Sequence, residues 1–548
     1  MDNARLFLWL ALFAIMWLTY RAWVTDYQEV TPEQSVSRPA QELPEVLIED
    51  GEAVPALTTA FSPEAVSASI PIRVRTDVFD LIIDSKGGDL VRVDLSEYPI
   101  DKDVPDVSMR LLNNVDADRW VFQSGFITAE ADGDPNHLAT FESGRSEYEL
   151  RAGVDELVVS LNWVEGGPLV ATKTYTFRRG QYGVELKLLL ENRSDVAWRG
   201  ATYAQMVRRN IPQERSFVDV DSYSFRGPVL YDGDGYEKLD VGDLVDMPWS
   251  ESREDNGKIV GGWLAGIQHH FVAAIVPPSN EEINYQATIN GADYVITAQS
   301  NVKEIPPAGE LEYTLQLFVG PKLQDQLAAT AEGLELTVDY GKLTLLSKPL
   351  FWLLAKVHSY VANWGLAIII VTLLIKLAFY KLTAASGRSM AKLRHLQPRM
   401  KALQEQYKDN REELTRKTME MYKREKVNPA AGCLPILIQM PFFFAFYWVL
   451  IESVEMRQAP FIFWINDLSA RDPFFILPLL NGAAMFFQQK LNPSPATDPM
   501  QAKVLQFMPV VFSIMFAFFP AGLVLYWLTN AALSIAQQAR INKLVASQ

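Results

Sequence analysis

The sequence predicts a mixed fold, in which a large all-β domain precedes a polytopic α-helical membrane segment. Three observations predict it. Charge is partitioned along the chain: residues 24–350 carry 27 Lys and Arg against 54 Asp and Glu, whereas residues 351–548 carry 21 against 11. An acidic middle and a basic, apolar C-terminal third belong to different environments. Residues 69–330 alternate apolar and polar side chains in short runs between Gly and Asp turns, the period of half-buried strands. Beyond residue 360, long apolar runs recur at about the 20 residues that a helix needs to cross a bilayer.

The elements follow in chain order. Leu6–Tyr20 is apolar, follows Arg5, and has no small-x-small cleavage site after it; Trp17, Tyr20 and Trp23 resemble an interfacial aromatic belt. Residues 1–24 are therefore expected to be an uncleaved transmembrane anchor. Residues 25–68, rich in Pro, Glu, Ser and Ala, are expected to be a disordered acidic linker. Residues 69–330 are expected to form a β-sandwich. In it Thr172–Phe177 and Val184–Leu190 pair across a turn at Arg179–Gly183, Ile70–Arg75 is an early strand, and Leu311–Val319 ends the series. Residues 331–360 are expected to supply linking and amphipathic interfacial helices, with Leu350, Leu353, Leu354 and Val357 on one face; for the earlier part, a final helix packed on the sandwich is an equal alternative.

Transmembrane segments are expected at 361–381, 432–451, 473–489, 504–519 and 523–539, six with the N-terminal anchor. Pro520-Ala521-Gly522 separates the last two, which as one helix would exceed 30 residues. The stretch Lys381–Lys426 carries 13 Lys and Arg against 6 acids, which places it in the cytoplasm; 452–472 carries two Arg against four acids and falls outside. Both termini then lie in the cytoplasm, and residues 25–357 lie mainly outside it, across the membrane. Within 382–431, Met390, Leu393, Leu396, Met400, Leu403 and Tyr407 form a seam broken at Asp409-Asn410, a cytoplasmic helical hairpin. Its basic faces are either simply solvated or a docking platform.

Chemistry-bearing motifs are sparse. Cys433 is the single cysteine, and five His accompany it, so neither a disulfide framework nor a structural zinc site is expected. No GxxxxGK[ST], HExxH or GxSxG occurs, and the reading is of a protein that is not an enzyme and uses no cofactor or metal. What remains is a charge in an apolar run: Lys376 lies within Trp364–Tyr380. An ammonium near a bilayer centre costs roughly 2.5–3.5 kcal/mol on insertion scales. Thr372, four residues earlier, shares its helix face. Lys376 either serves a hydrated intramembrane site or snorkels to the nearer headgroups; the pattern alone leaves both open. Gln439, Ser513 and Asn530 add polar groups to other spans. A channel or transporter with a Lys376-lined pore is the alternative, although no inverted repeat supports it.

Several motifs, in order and spacing, carry a family resemblance. They are Leu336-Thr337-Val338-Asp339-Tyr340-Gly341, Asn363-Trp364-Gly365, Val427-Asn428-Pro429 leading into Gly432-Cys433-Leu434-Pro435, Val454-Glu455-Met456-Arg457-Gln458-Ala459-Pro460-Phe461, Asp498-Pro499-Met500-Gln501, and Phe519-Pro520-Ala521-Gly522-Leu523-Val524-Leu525-Tyr526-Trp527. On these the chain resembles, over essentially its full length, the YidC-type membrane protein insertases (the Oxa/Alb/YidC family) in their Gram-negative form. The resemblance implies a periplasmic β-supersandwich and a five-helix core around a hydrophilic groove, and it implies insertase and chaperone activity in the bacterial inner membrane. The groove's positive residue, usually Arg, matches Lys376, and the aromatic pair, commonly two Tyr, matches Tyr526 and Trp527. The expected substrate groove comprises Lys376, Thr372, Gln439, Ser513, Tyr526, Trp527 and Asn530. Expected partners are nascent membrane proteins, the Sec translocon, the lipid bilayer, and a ribosome or targeting factors at 382–431 and the C-terminal tail. No specific nucleic-acid sequence is expected among them.

Overall fold

The computed structural model describes residues 69–546, apart from 103, 129–133, 166, 213–223, 255, 408–409, 426–433 and 492–498. The expected anchor at 1–24, the linker at 25–68 and the Val427–Cys433 motif lie outside the described residues.

Strand-forming alternation builds two stacked sheets, one of eleven strands and one of nine. In the smaller sheet Gly183–Asn192 lies antiparallel between Leu169–Arg178 and Glu310–Pro321. Its even positions Leu186, Leu188 and Leu190 are fully buried, while the intervening residues are partly exposed. In the larger sheet Trp198–Arg209 runs between Trp120–Ile127 and Asp293–Ser300. Lys173 lies in phase with Tyr175 and Phe177 and points into the core, only 1% exposed. Its ammonium donates to Gly87 O, to Ser124 O at 2.7 Å and to Ser124 Oγ at 3.0 Å, and Asp89 lies 3.6 Å away. The Gly87 turn can approach because φ is +75°, and a Cβ there would lie 2.4 Å from Asp89 Oδ2.

Among the described residues the α-helices are α1 (Val241–Asp246), α2 (Gln324–Thr330), α3 (Thr344–Val361), α4 (Trp364–Ala378), α5 (Tyr380–Gln406), α6 (Arg411–Arg424), α7 (Leu434–Glu452), α8 (Ile476–Leu491), α9 (Pro499–Phe516) and α10 (Ala521–Ala546). In α3, Leu350 and Leu354 are buried, whereas Leu345, Trp352 and Tyr360 are exposed. The apolar run 361–381 is not one continuous helix. Val361 ends α3, Ala362 turns left-handed at φ +51°, and Phe379 (φ −91°, ψ 8°) separates α4 from α5 with a bend of 67°. Among the described residues no single helix is long and apolar enough to cross a membrane; α4 and the start of α5 meet that test together. α5 and α6 pack through Leu393, Leu396, Met421 and Tyr422. Large apolar side chains on α8 and α9, including Leu479, Leu480, Phe487, Phe507, Val510 and Ile514, are exposed. So many large exposed apolar side chains on two packed helices suit a lipid environment.

The β-domain is bonded to the helices. His270 Nε2 lies 2.8 Å from Ile451 O; a carbonyl only accepts, so this nitrogen carries the proton and caps the last turn of α7. Arg457 Nη2 donates to Pro99 O and Ile100 O at 2.9 and 3.1 Å. The segment between α7 and α8 is organised by Asp472, which is 1% exposed. Its carboxylate accepts from Trp464 Nε1 (3.0 Å), Phe474 N (3.0 Å) and Leu477 N (2.7 Å), which satisfies the first turn of α8. Asp472→Ala should cost about 2–4 kcal/mol, since it strands three donors, of which Leu477 N is buried and the other two are part-buried. Thermal melting of the detergent-solubilised chain reads this, and an unchanged melting temperature would contradict it.

Candidate functional site: a cationic crevice between α4, α7 and α10

The helices that carry the site are fixed at the end remote from Lys376. Asn363 caps α4 by accepting from Leu366 N at 2.9 Å and donates to Phe461 O at 3.0 Å. Gly365 lets the Phe461 ring press on the first turn; a Cβ there would lie 2.0 Å from Phe461 Cδ2. The same 453–475 segment holds the start of α10, where Ala521 N donates to Ala470 O at 2.7 Å and Gly522 N to Leu468 O at 2.9 Å. Pro520 precedes this start and lacks the amide proton that would continue α9.

Three turns along α4, Thr372, Ile375, Lys376 and Phe379 face Gln439 and Phe442 of α7 and Tyr526 and Asn530 of α10 across a narrow crevice. Its volume is about 10 Å³, room for about one water molecule. Lys376 is half-buried, and its ammonium donates to Ser534 Oγ at 2.7 Å. Ser534 in turn donates to Asn530 O at 2.7 Å, so its oxygen lone pairs are free for the ammonium. Lys376 makes no ion pair among the described residues, and no carboxylate lines the crevice. Two of its three N–H donors have no partner there. Thr372 Oγ1 donates to Ile368 O at 2.6 Å and presents only its acceptor side. Gln439 Nε2 and Asn530 Oδ1 stand 3.5 Å apart, at the limit of a hydrogen bond. The Tyr526 ring stacks on Phe446 with centroids 4.3 Å apart and planes at 19°. The crevice thus offers an unneutralised cation beside polar groups that are not fully used.

Five of the seven expected groove residues meet here: Lys376, Thr372, Gln439, Tyr526 and Asn530. Ser513 and Trp527 do not line the crevice. Ser513 Oγ donates to Pro478 O at 2.8 Å, at a close α8–α9 contact where a Cβ on Gly482 would lie 2.7 Å from that oxygen. Trp527 follows Tyr526 by one residue, a 100° rotation on a helix, which turns its ring towards Phe443 (4.9 Å) and Phe516 (5.5 Å). Ser534, the direct partner of Lys376, was not among the expected residues. Its signal was available: Tyr526, Asn530 and Ser534 are spaced four apart on one face of α10.

The chain matches two family models: the 60Kd inner membrane protein over residues 356–548 and the YidC periplasmic domain over residues 71–353. It is 43% identical to the membrane protein insertase YidC of Thioalkalivibrio sulfidiphilus (strain HL-EbGR7), over 99% of this chain and 98% of that one. It is 44% identical to the namesake protein of Methylococcus capsulatus (strain ATCC 33009 / NCIMB 11132 / Bath), over 99% and 98%. A solved active YidC insertase, with its first transmembrane domain resolved, is similar at 17% identity and a TM-score of 0.38, over 86% of this chain and 92% of that one.

Proposed function

This chain belongs to the YidC family of membrane protein insertases, and from that premise we propose that the crevice around Lys376 receives the hydrophilic part of a substrate on its way across the inner membrane. As an insertase it acts on nascent membrane proteins, and its β-sandwich is the periplasmic domain. The observation that carries the proposal is the unneutralised ammonium of Lys376, which shares a crevice with Gln439, Asn530 and Thr372 and with no acid. Acidic residues in a substrate tail supply the missing counter-charge. At 4 Å and an effective dielectric of 20, such a pair is worth about 4 kcal/mol before desolvation is subtracted. The substrate's apolar helix then leaves along α7 and α9 into lipid, and its burial there drives the process without nucleotide.

The same reading treats α4, α7, α8, α9 and α10 as the membrane core, with both termini and the basic α5–α6 pair in the cytoplasm. α4 is 15 residues long, so it extends about 22 Å at 1.5 Å per residue, short of the roughly 30 Å hydrocarbon core. A locally thinned bilayer at α4 shortens the polar segment's path. α5, α6 and the C-terminal tail are the surfaces for a ribosome or targeting factor, and the Sec translocon is the partner for larger substrates.

Photo-crosslinking tests the site. A crosslinker at Asn530 or Phe442 should capture the hydrophilic tail of an inserting substrate, while one at Ser513, outside the crevice, should not. Equal capture from Ser513 and Asn530 would remove the crevice from the path. Ser534→Ala should leave insertion within about threefold of the parent, because it removes one bond from Lys376 and leaves the charge in place; a complete loss would show that the hydroxyl, not the ammonium, is the essential group.

A further inference from the structure

A second cavity lies where α7 meets the β-domain, far from Lys376. Its volume is about 540 Å³. Lys322, at the end of strand Glu310–Pro321, lines it and is only 2% exposed. Its ammonium makes no hydrogen bond or ion pair among the described residues. An unpartnered buried ammonium is costly and is normally neutralised. Burial pulls Lys322 down to about 8, while Glu452 and Asp339 hold it up, so it remains charged at neutral pH.

The rest of the wall carries charge of both signs. Arg226 contributes a guanidinium, 3.8 Å from Asp118. Lys238 is taken up by Asp339. Glu452, 5% exposed, receives one bond from Ser224 at 3.3 Å, and Asp240 lies on the rim. Three cations against three carboxylates give a lining with no net charge, which suits a ligand that is itself a dipole better than a free anion.

The position of the cavity says where such a ligand comes from. Trp448, one turn before Glu452 on α7, lines it, and so does Gly341, three residues before α3 with its exposed Leu345 and Trp352. An indole beside the polar end of an apolar helix marks the headgroup level of a bilayer. We propose that this cavity binds the phosphoethanolamine headgroup of a phospholipid from the periplasmic leaflet, with the phosphate on Lys322 and Arg226 and the ammonium on Glu452 and Asp240. The acyl chains then lie along α7 and α3, and the lipid ties the β-domain to the membrane surface. This rests on the membrane placement of α7 in the insertase reading.

Native mass spectrometry of the full-length chain in detergent, titrated with short-chain phosphatidylethanolamine, tests the site. The parent chain should retain one lipid that Lys322→Met loses, with apparent affinity reduced at least tenfold. Lys322→Met should melt no lower than the parent, because it removes a buried charge that has no partner; Lys322→Gln serves as the second variant and should lose the lipid as well. Short-chain phosphatidylglycerol should bind more weakly than the ethanolamine lipid, and Glu452→Gln should erase that preference. Equal retention by parent and both Lys322 variants would overturn the site. Soluble phosphoethanolamine binding as tightly as the lipid would overturn the membrane source, and equal binding of the glycerol lipid would overturn the zwitterion. A parent chain that inserts substrate in proteoliposomes yet retains no lipid would overturn this site alone and leave the insertase reading intact.

Discussion

Lys376→Glu is expected to abolish insertion of a small protein with an acidic hydrophilic tail, while Lys376→Arg inserts it within about threefold of the parent chain. The asymmetry follows from the geometry. Lys376 has one neutral partner, Ser534, and no acid in the crevice, so its charge is uncompensated. Reversal replaces an attraction of about 4 kcal/mol with a repulsion of similar size, and every 1.4 kcal/mol is a factor of ten. Arginine keeps the charge and adds a fork that no residue of the crevice demands. Insertion into proteoliposomes, scored by protease protection of the substrate, reads the effect. Undiminished insertion by Lys376→Glu would dismiss the charge as the working element.

The second large effect lies in the β-domain. Lys173→Met is expected to cost about 3–5 kcal/mol, because it removes one partner of a buried pair, leaves Asp89 without its counter-ion, and takes the ammonium donor away from Gly87 O and Ser124 O. The double change Lys173→Met with Asp89→Leu should recover part of that loss, since it removes the stranded charge as well. Denaturant unfolding followed by tryptophan fluorescence separates the two variants. A single variant as stable as the parent would show that the core tolerates an unpaired carboxylate, contrary to the geometry.

The alternation of Thr172–Phe177 and Val184–Leu190 foretold a hairpin that pairs Val184 with Phe177 and Leu190 with Ala171. Period two is a local signal, and burial of one face enforces it. The Pro520-Ala521-Gly522 break was legible because proline close to glycine is a local turn signal, although Pro349, Pro398, Pro441 and Pro509 lie inside continuous helices. The break at Phe379 was not. Ala378-Phe379-Tyr380 contains no helix breaker, and the interruption instead accompanies packing of the Phe379 ring edge-on against Phe442, 5.3 Å away on α7. A contact between elements far apart in sequence leaves no local trace. Residue type drew Ser513, and the resemblance drew Trp527, into the expected groove; neither lines the crevice around Lys376. Lys173 was not read as buried from the sequence, although it stands in phase with Tyr175 and Phe177. Lys322, which opens a different site, carries no such periodicity.

The central claim is that the charge at position 376 selects the charge of the tail. The most direct measurement is insertion of a substrate whose tail acids have all been changed to lysine, by the Lys376→Glu chain and by the parent side by side. The account predicts that the Lys376→Glu chain inserts the lysine-tailed substrate and that the parent does so poorly, the mirror image of their behaviour towards the acidic tail. Failure of the Lys376→Glu chain on both tails, or equal insertion of both tails by the parent, would contradict it.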